Sequence, residues 1–190
     1  MADTDASARG ERGSRGRNLR IGAVIAVALL VILVVWLALR GCGPSTPTRA
    51  PARAMNLAQL RTFARGAGHP VYWLGQRPPG TPRPTYEVSQ TKDRSIYIRY
   101  LPPGVAAGSN RTFLTVGTYP NNRAAATVRQ GLARPGATRA RGPRGAVGVI
   151  NRARPNSVYF ASSNGRFLIE VYDPNAARAR RLAPTAGPIH

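Results

Sequence analysis

The chain has 190 residues, which leaves room for one folded domain once the terminal segments are set aside. Its net charge of +21 comes almost entirely from arginine, since Lys92 is the only lysine, and the single cysteine excludes an internal disulfide framework and any multi-cysteine metal site. A chain this basic is attracted to nucleic acid, anionic lipid headgroups or acidic polymers.

The N-terminal part of the sequence predicts a membrane anchor. Residues 1–20 are polar and rich in Gly, Arg and Ser, so we expect a disordered cytoplasmic tail. Residues 21–39 contain no charge and no proline. A helix of that length covers roughly 28 Å, close to the ~30 Å hydrocarbon core of a bilayer. Five arginines precede this stretch and three follow within about 15 residues of its end, which predicts a single-pass protein of the cell membrane with a cytoplasmic N-terminus and its C-terminal domain outside.

Cys42 lies just beyond this stretch and allows two interpretations. Leu39, Gly41 and Cys42 resemble a bacterial lipidation signal, but Arg40 occupies an unfavourable position within it, and the apolar core is longer than that of a cleavable signal peptide. We therefore favour an uncut transmembrane helix and keep lipidation of Cys42 as the alternative. In the uncut protein Cys42 is an exposed thiol that can form a disulfide-linked dimer.

Residues 40–54 are rich in Pro, Ala and Arg and predict an extended linker. A domain over residues 55–184 follows, and residues 185–190 are expected to form a tail. Asn56 can cap a first helix, with Gln59 reaching back and Gly66 or Gly68 ending it. Alternating or β-rich runs then predict four strands, at residues 70–75, 85–91, 95–101 and 113–119.

The second half of the domain repeats this kind of pattern. Asn121 or Asn122 caps a helix that Pro135 stops, and an Arg/Gly-rich loop leads to strands at residues 145–151, 157–162 and 166–172. The dipeptide Asn164-Gly165 predicts a hairpin with a type I′ turn. Asp173 then caps a short helix that runs through Leu182.

Short connections between neighbouring strands favour an antiparallel arrangement. The sequence therefore predicts an α+β domain that follows one N-terminal transmembrane helix. It contains an antiparallel sheet of about seven strands and two to three helices, which pack on one face of the sheet.

The run HPVYWLG…YEVSQT…SIYIRYLPPG…FLTVGTYP…EVYDP, behind one apolar stretch, resembles uncharacterised single-pass envelope proteins of GC-rich bacteria. The resemblance covers most of residues 55–175. It implies a membrane-anchored protein of the cell envelope and implies no activity, ligand or catalytic residue.

Arginine clusters are the main candidates for a functional site. We predict no catalytic, cofactor-binding or metal-binding residues, because the domain has few carboxylates and histidines and lacks the glycine-rich phosphate motifs. Guanidinium groups suit phosphates and carboxylates. The predicted polyanion-binding residues are Arg139, Arg141, Arg144, Arg152 and Arg154. The alternative is a solvated loop whose arginines reflect the base composition of a GC-rich genome.

The sequence thus favours a non-enzymatic, membrane-anchored binding or interaction module outside the cytoplasm. Its partner would be an anionic envelope polymer, lipid headgroups or another protein. One alternative is an anchored envelope hydrolase with an unrecognised site. Another is a nucleic-acid-binding protein, which the charge favours and the predicted location disfavours.

The predicted topology can be tested with reporters fused after His190. Alkaline phosphatase, which is active only outside the cytoplasm, is expected to be active at this position, and green fluorescent protein exported through the same pathway is expected to be dark. Fluorescence with an inactive phosphatase would place the domain in the cytoplasm and contradict the prediction.

Overall fold

The computed structural model of the chain describes residues 52–190. The predicted tail, the predicted transmembrane helix, Cys42 and most of the predicted linker lie outside these residues. Within the described part, no helix has the length and apolar character needed to cross a bilayer.

Three helices and ten strands follow one another along the described residues. The helices are α1 Leu57–Gly66, α2 Ala124–Leu132 and α3 Ala176–Leu182. The strands of the first half are β1 Arg53–Met55, β2 Tyr72–Trp73, β3 Thr85–Gln90, β4 Ile96–Leu101 and β5 Thr115–Pro120. The strands of the second half are β6 Thr138–Arg141, β7 Val147–Asn151, β8 Arg154–Ala161, β9 Phe167–Tyr172 and β10 Gly187–Pro188.

Eight of the strands form one antiparallel sheet in the order β1-β3-β4-β5-β9-β8-β7-β6. Strands β5 and β9 join the two halves of the domain through six paired residues, from Thr115 opposite Tyr172 to Pro120 opposite Phe167. The remaining strands, β2 and β10, form a separate antiparallel pair. The predicted α+β class with an antiparallel sheet is confirmed for this part of the chain, with eight strands in the sheet and three helices.

One face of the sheet, which we call the apolar face, carries the main hydrophobic core. Side chains of a strand alternate between the two faces, so the register assigns each residue to a face. Ile98 pairs with Val116, which in turn pairs with Val171, and all three are fully buried. Helices α1 and α3 cover this face with Leu60 and Leu182.

The opposite face, which we call the polar face, is covered at one end by α2. Gly131 of α2 approaches Val149, whose partner in the register is Tyr159 on the polar face. The prediction that all helices pack on one face is therefore wrong for α2. The reason is local: Val149 gives the outer part of the polar face an apolar surface, and Val128 of α2 is buried there.

Helix α1 begins as the sequence predicts. The Asn56 side chain accepts a hydrogen bond from the Gln59 backbone N–H at 3.0 Å, and the Gln59 side chain accepts one from the Asn56 N–H at 2.9 Å. This capping box satisfies two backbone donors that have no partner inside the helix.

Strand β6 lies where the sequence predicts an Arg/Gly-rich loop. Its sequence, TRAR, has no hydrophobic alternation, and it becomes a strand by pairing with β7 along four residues. The C-terminal residues differ in a similar way: the sequence predicts a tail at 185–190, whereas Gly187 and Pro188 pair with β2, and Ile189 donates its N–H to the Val71 carbonyl. Strand β6 owes its conformation to a short hairpin with β7, and the C-terminal residues owe theirs to a strand more than 100 residues earlier in the chain.

The β8–β9 hairpin exists, but its turn is not type I′. Among the non-glycine residues at 52–190 only Arg94 and Arg144 have a positive φ, so Asn164 does not meet the type I′ requirement, and Gly165 alone takes φ 68°. The Ser162 hydroxyl accepts a hydrogen bond from the Phe167 N–H and contacts the Asn164 side chain. These local side-chain bonds favour the observed connection over residues 162–166, which is longer than a two-residue type I′ turn.

The start of α3 is also shifted from its predicted position. Asn175, not Asp173, is the N-cap, and its side chain accepts a hydrogen bond from the Arg178 N–H. Asp173 lies two residues earlier, where it accepts the Asn175 N–H and forms an ion pair with the Arg178 guanidinium at 2.8 Å.

Ile98 provides a test of the core. Because it is fully buried between neighbouring strands, Ile98→Ala is expected to lower the free energy of unfolding by about 2–5 kcal/mol. Urea unfolding of the full chain, followed by tryptophan fluorescence, measures the change. The control is Val147→Ala, at a side chain that is 46% exposed, for which a change of about 0.5 kcal/mol or less is expected. An equal loss of unfolding free energy in both variants would contradict this description of the core.

Candidate functional site

The candidate site lies on the polar face of the sheet, beside the β4–β5 loop. This loop spans residues 102–114 and folds back toward β3 and β4. It is held there by a buried ion pair on the sheet. The Glu87 carboxylate is 1% exposed and lies 2.6 Å from the Arg99 guanidinium, which is 12% exposed.

Both members of this pair also hold the loop backbone. The second oxygen of Glu87 accepts the Gly108 N–H at 2.8 Å. Arg99 donates to the carbonyls of Ser109 and Arg111. A buried charge is tolerated when it is paired and its remaining hydrogen-bonding positions are filled, and here the loop backbone fills them. The pair therefore fixes one wall of the site.

A second carboxylate, Glu170 of β9, lies in the middle of the polar face. Three hydroxyl groups donate hydrogen bonds to it: Ser157 at 2.6 Å, Tyr159 at 2.7 Å and Tyr119. Ser157 and Tyr159 come from β8 and Tyr119 comes from β5, the two strands that flank β9. The network thus joins three adjacent strands and depends on their register.

Burial and charge alter the acidity of the groups around Glu170. Burial raises the pKa of Tyr119 well above its usual range, and the negative charge of Glu170 raises it further. The same two causes raise the pKa of Tyr159. The Arg154 guanidinium lies 3.3 Å from the Tyr159 hydroxyl, and this hydrogen bond raises the pKa of Arg154. Both tyrosines therefore keep their protons at neutral pH and act as hydrogen-bond donors to Glu170.

Two clefts open over this network. The first has a volume of about 510 Å³ and lies between the β4–β5 loop and the sheet. The second, of about 420 Å³, lies beside the first residues of β8. They share Glu170 and Tyr172, and we call the two together the polar groove. Its lining includes Glu87, Tyr97, Arg99, Asn110, Arg111, Thr112, Phe113, Arg154, Ser157, Glu170 and Tyr172.

The structure distributes the five predicted polyanion-binding arginines over several places. Arg139 and Arg141 lie on β6 at the edge of the sheet, on the polar face by their pairing with Val149 and Val147. Arg152 lies in the β7–β8 turn, where its side chain packs against Gly136, which precedes β6. Arg144, at φ 51°, lines a separate cleft of about 560 Å³. Arg154 alone lines the polar groove.

The residues at the centre of the groove are ones that the sequence did not single out as a site. Glu87 and Glu170 each lie in a strand between two apolar residues that face the core, in TYEVSQ and FLIEVY. A carboxylate at such a position is the local signal that could have identified them. Their partners come from other strands, so this signal reveals a polar face without its contacts.

The described residues contain no group of three or more His, Cys, Asp or Glu side chains placed to hold a metal ion. The groove offers hydroxyls, guanidinium groups and two carboxylates, and both carboxylates are already bonded to neighbouring groups. Its chemistry therefore suits hydrogen-bonded recognition of a polar ligand.

No protein-family model matches the chain, and neither the curated proteins nor the solved structures contain a significant match. The resemblance to envelope proteins of GC-rich bacteria stays a prediction.

The raised pKa of Tyr119 predicts how stability depends on pH. The unfolded chain releases a tyrosine proton near pH ~10, whereas folded Tyr119 retains its proton, so stability is fully present below about pH 10 and falls as the pH rises above it. Above that pH, Tyr119→Phe is expected to make the loss of unfolding free energy smaller by about 1.4 kcal/mol per pH unit. The reason is that phenylalanine has no proton that the folded chain keeps and the unfolded chain releases.

Urea unfolding of both proteins between pH 7 and pH ~11.5 measures this difference. Below pH ~9 the unfolding free energies of the two proteins are expected to change with pH in parallel, which provides the internal control. Identical slopes above pH ~10 would show that Tyr119 ionises equally in the folded and unfolded chains, in contradiction to its burial beside Glu170.

Proposed function

We propose that residues 52–190 form a non-catalytic module that binds an anionic partner in a bacterial cell envelope, such as a polymer or a lipid surface. The predicted helix at residues 21–39 would anchor the module to the membrane and place it outside the cytoplasm. The sequence supports the anchor, and the charges of the folded domain support the choice of an anionic partner.

The observation that carries this proposal is the way the domain uses its charges. Residues 52–190 include 21 basic and four acidic side chains. Each acidic side chain is bonded within the fold: Glu87 to Arg99, Asp173 to Arg178, Asp93 to Thr91 and Ser95, and Glu170 to Ser157, Tyr119 and Tyr159.

Among the described residues, only two basic side chains, Arg99 and Arg178, form an ion pair with a carboxylate. The other basic side chains at 52–190 have no acidic partner there, so the surface keeps a large positive charge that internal pairing does not neutralise. Such a surface raises the local concentration of anions and speeds the association of anionic partners.

The hydrolase alternative has less support from the groove. Glu87 and Glu170 lie three strand spacings apart and two residues out of register, which separates their Cα atoms by about 16 Å. The paired carboxyl groups of glycosidases lie only about 5–9.5 Å apart. Each carboxylate is also occupied by fixed partners, with an ion pair at Glu87 and three hydroxyl donors at Glu170. Neither is positioned as a free general base.

The nucleic-acid alternative shares the electrostatic support and differs in its location. DNA or RNA would be accessible to a domain in the cytoplasm, whereas the predicted topology places the domain outside. A cytoplasmic result in the reporter experiment would therefore favour this alternative.

Salt-dependent binding tests the proposed function. The purified full chain in neutral detergent is expected to bind inorganic polyphosphate, with an affinity that falls about tenfold between ~50 and ~200 mM salt if two or more anionic groups are contacted. Fluorescence anisotropy of labelled polyphosphate measures this affinity. Neutral dextran is the control and is expected not to bind. The absence of polyphosphate binding at ~50 mM salt would contradict an anionic partner.

A further inference from the structure

The polar groove runs across the strands of the sheet. One row of the register places Arg99 of β4 opposite Thr115 of β5, Thr115 opposite Tyr172 of β9, and Tyr172 opposite Ser157 of β8. Neighbouring strands lie about 4.8 Å apart, so this row spans about 14 Å. A groove of that length matches an extended oligomer better than a single small anion.

The charges along the groove follow a defined pattern. Arg111 lies in the cleft at one end and Arg154 in the cleft at the other, and neither forms an ion pair among the described residues. Glu170 lies between them and lines both clefts. A continuous row of negative charges would meet repulsion from Glu170 at the centre. The pattern therefore fits a ligand with acidic groups at its ends and a neutral polar unit between them.

The centre of the groove also provides neutral hydrogen-bonding groups. Tyr172 lines both clefts, and its hydroxyl has no hydrogen-bond partner among the described residues. Asn110 and Thr112 line the first cleft, and within the described part their side chains also form no hydrogen bond. Glu170 accepts three hydroxyl groups, and because a carboxylate has about four acceptor positions, one position remains for a ligand hydroxyl.

We propose that the polar groove binds a polyhydroxylated anionic polymer, with hydroxyl groups of the ligand at Tyr172 and Glu170 and its acidic groups at Arg111 and Arg154. This inference rests on the proposed function and adds the class of ligand and its site. Guanidinium groups recognise phosphate or carboxylate oxygens through paired N–H donors. The fixed hydroxyl network around Glu170 holds the acceptor in place before the ligand arrives, which reduces the entropy lost on binding.

Two phosphate polymers test the inference because they differ in hydroxylated content. Poly(glycerol phosphate) bearing glycosyl substituents has phosphates separated by a hydroxylated unit, whereas inorganic polyphosphate has phosphates without hydroxyl groups. The full chain in neutral detergent is expected to bind the glycosylated polymer about tenfold or more tightly than polyphosphate of equal charge, through two or more additional hydrogen bonds.

Variants locate the contacts within the groove. Tyr172→Phe removes one hydroxyl and is expected to weaken binding of the glycosylated polymer about fivefold while leaving polyphosphate binding unchanged. Arg111→Gln and Arg154→Gln are each expected to weaken binding of the glycosylated polymer by about fivefold or more. The matched control is Arg180→Gln on α3, the same change of charge on the opposite side of the sheet, for which a change of less than about twofold is expected.

The outcomes separate this inference from the proposed function. Equal affinity for the two polymers, with no effect of Tyr172→Phe, would overturn the ligand class and leave the anionic partner in place. Equal effects of Arg111→Gln and Arg180→Gln would overturn the groove as the site. Absence of binding to both polymers at low salt would overturn the inference and the proposed function together. Unchanged thermal unfolding of each variant confirms that the measured losses arise from binding.

Discussion

The pairing of β5 with β9 is the contact on which the rest of the domain depends. These strands join the first half of the sheet to the second through six paired residues. On the apolar face the pairing places Val116 against Val171 and makes the hydrophobic core continuous. On the polar face it brings Tyr119 to Glu170. A shift of one residue would reverse the faces of one whole strand, so the core and the groove are specified by the same register.

The groove and the basic surface follow from how the domain uses its few carboxylates. A chain with so many arginines could have used Glu87 and Glu170 in exposed ion pairs, which contribute little to stability. Instead Glu87 is buried to hold a loop, and Glu170 collects hydroxyl groups from two neighbouring strands. Both therefore organise the polar groove, while most of the cations at residues 52–190 have no acidic partner within that part of the chain. The positive charge of the surface follows from the excess of 21 basic over four acidic side chains at residues 52–190.

The sequence predicts those features of the domain that depend on neighbouring residues. Alternation predicts β4, and the spacing of Asn56 and Gln59 predicts the start of α1, because a pleat and a cap involve only a few adjacent positions. Strand β6 could not be predicted this way, since pairing with β7 overrides a sequence without strand character. The Glu170 network depends on which strands lie beside β9, and local patterns do not contain that information. The sequence predicted Arg154 as a polyanion-binding residue, but its position beside Tyr159 could be found only from the pairing of the strands.

The fixed hydroxyl network favours recognition over proton transfer at the groove. A general acid or base acts best when its pKa lies near the working pH, and the pKa of Tyr119 and that of Tyr159 are both shifted upward, away from neutrality. These hydroxyls keep their protons and stay directed at Glu170. A rigid array of donors and acceptors gains its advantage by being organised before a ligand binds, since little side-chain freedom is then lost. The same interactions that stabilise the sheet thus support the proposal that the groove binds a ligand and does not catalyse a reaction.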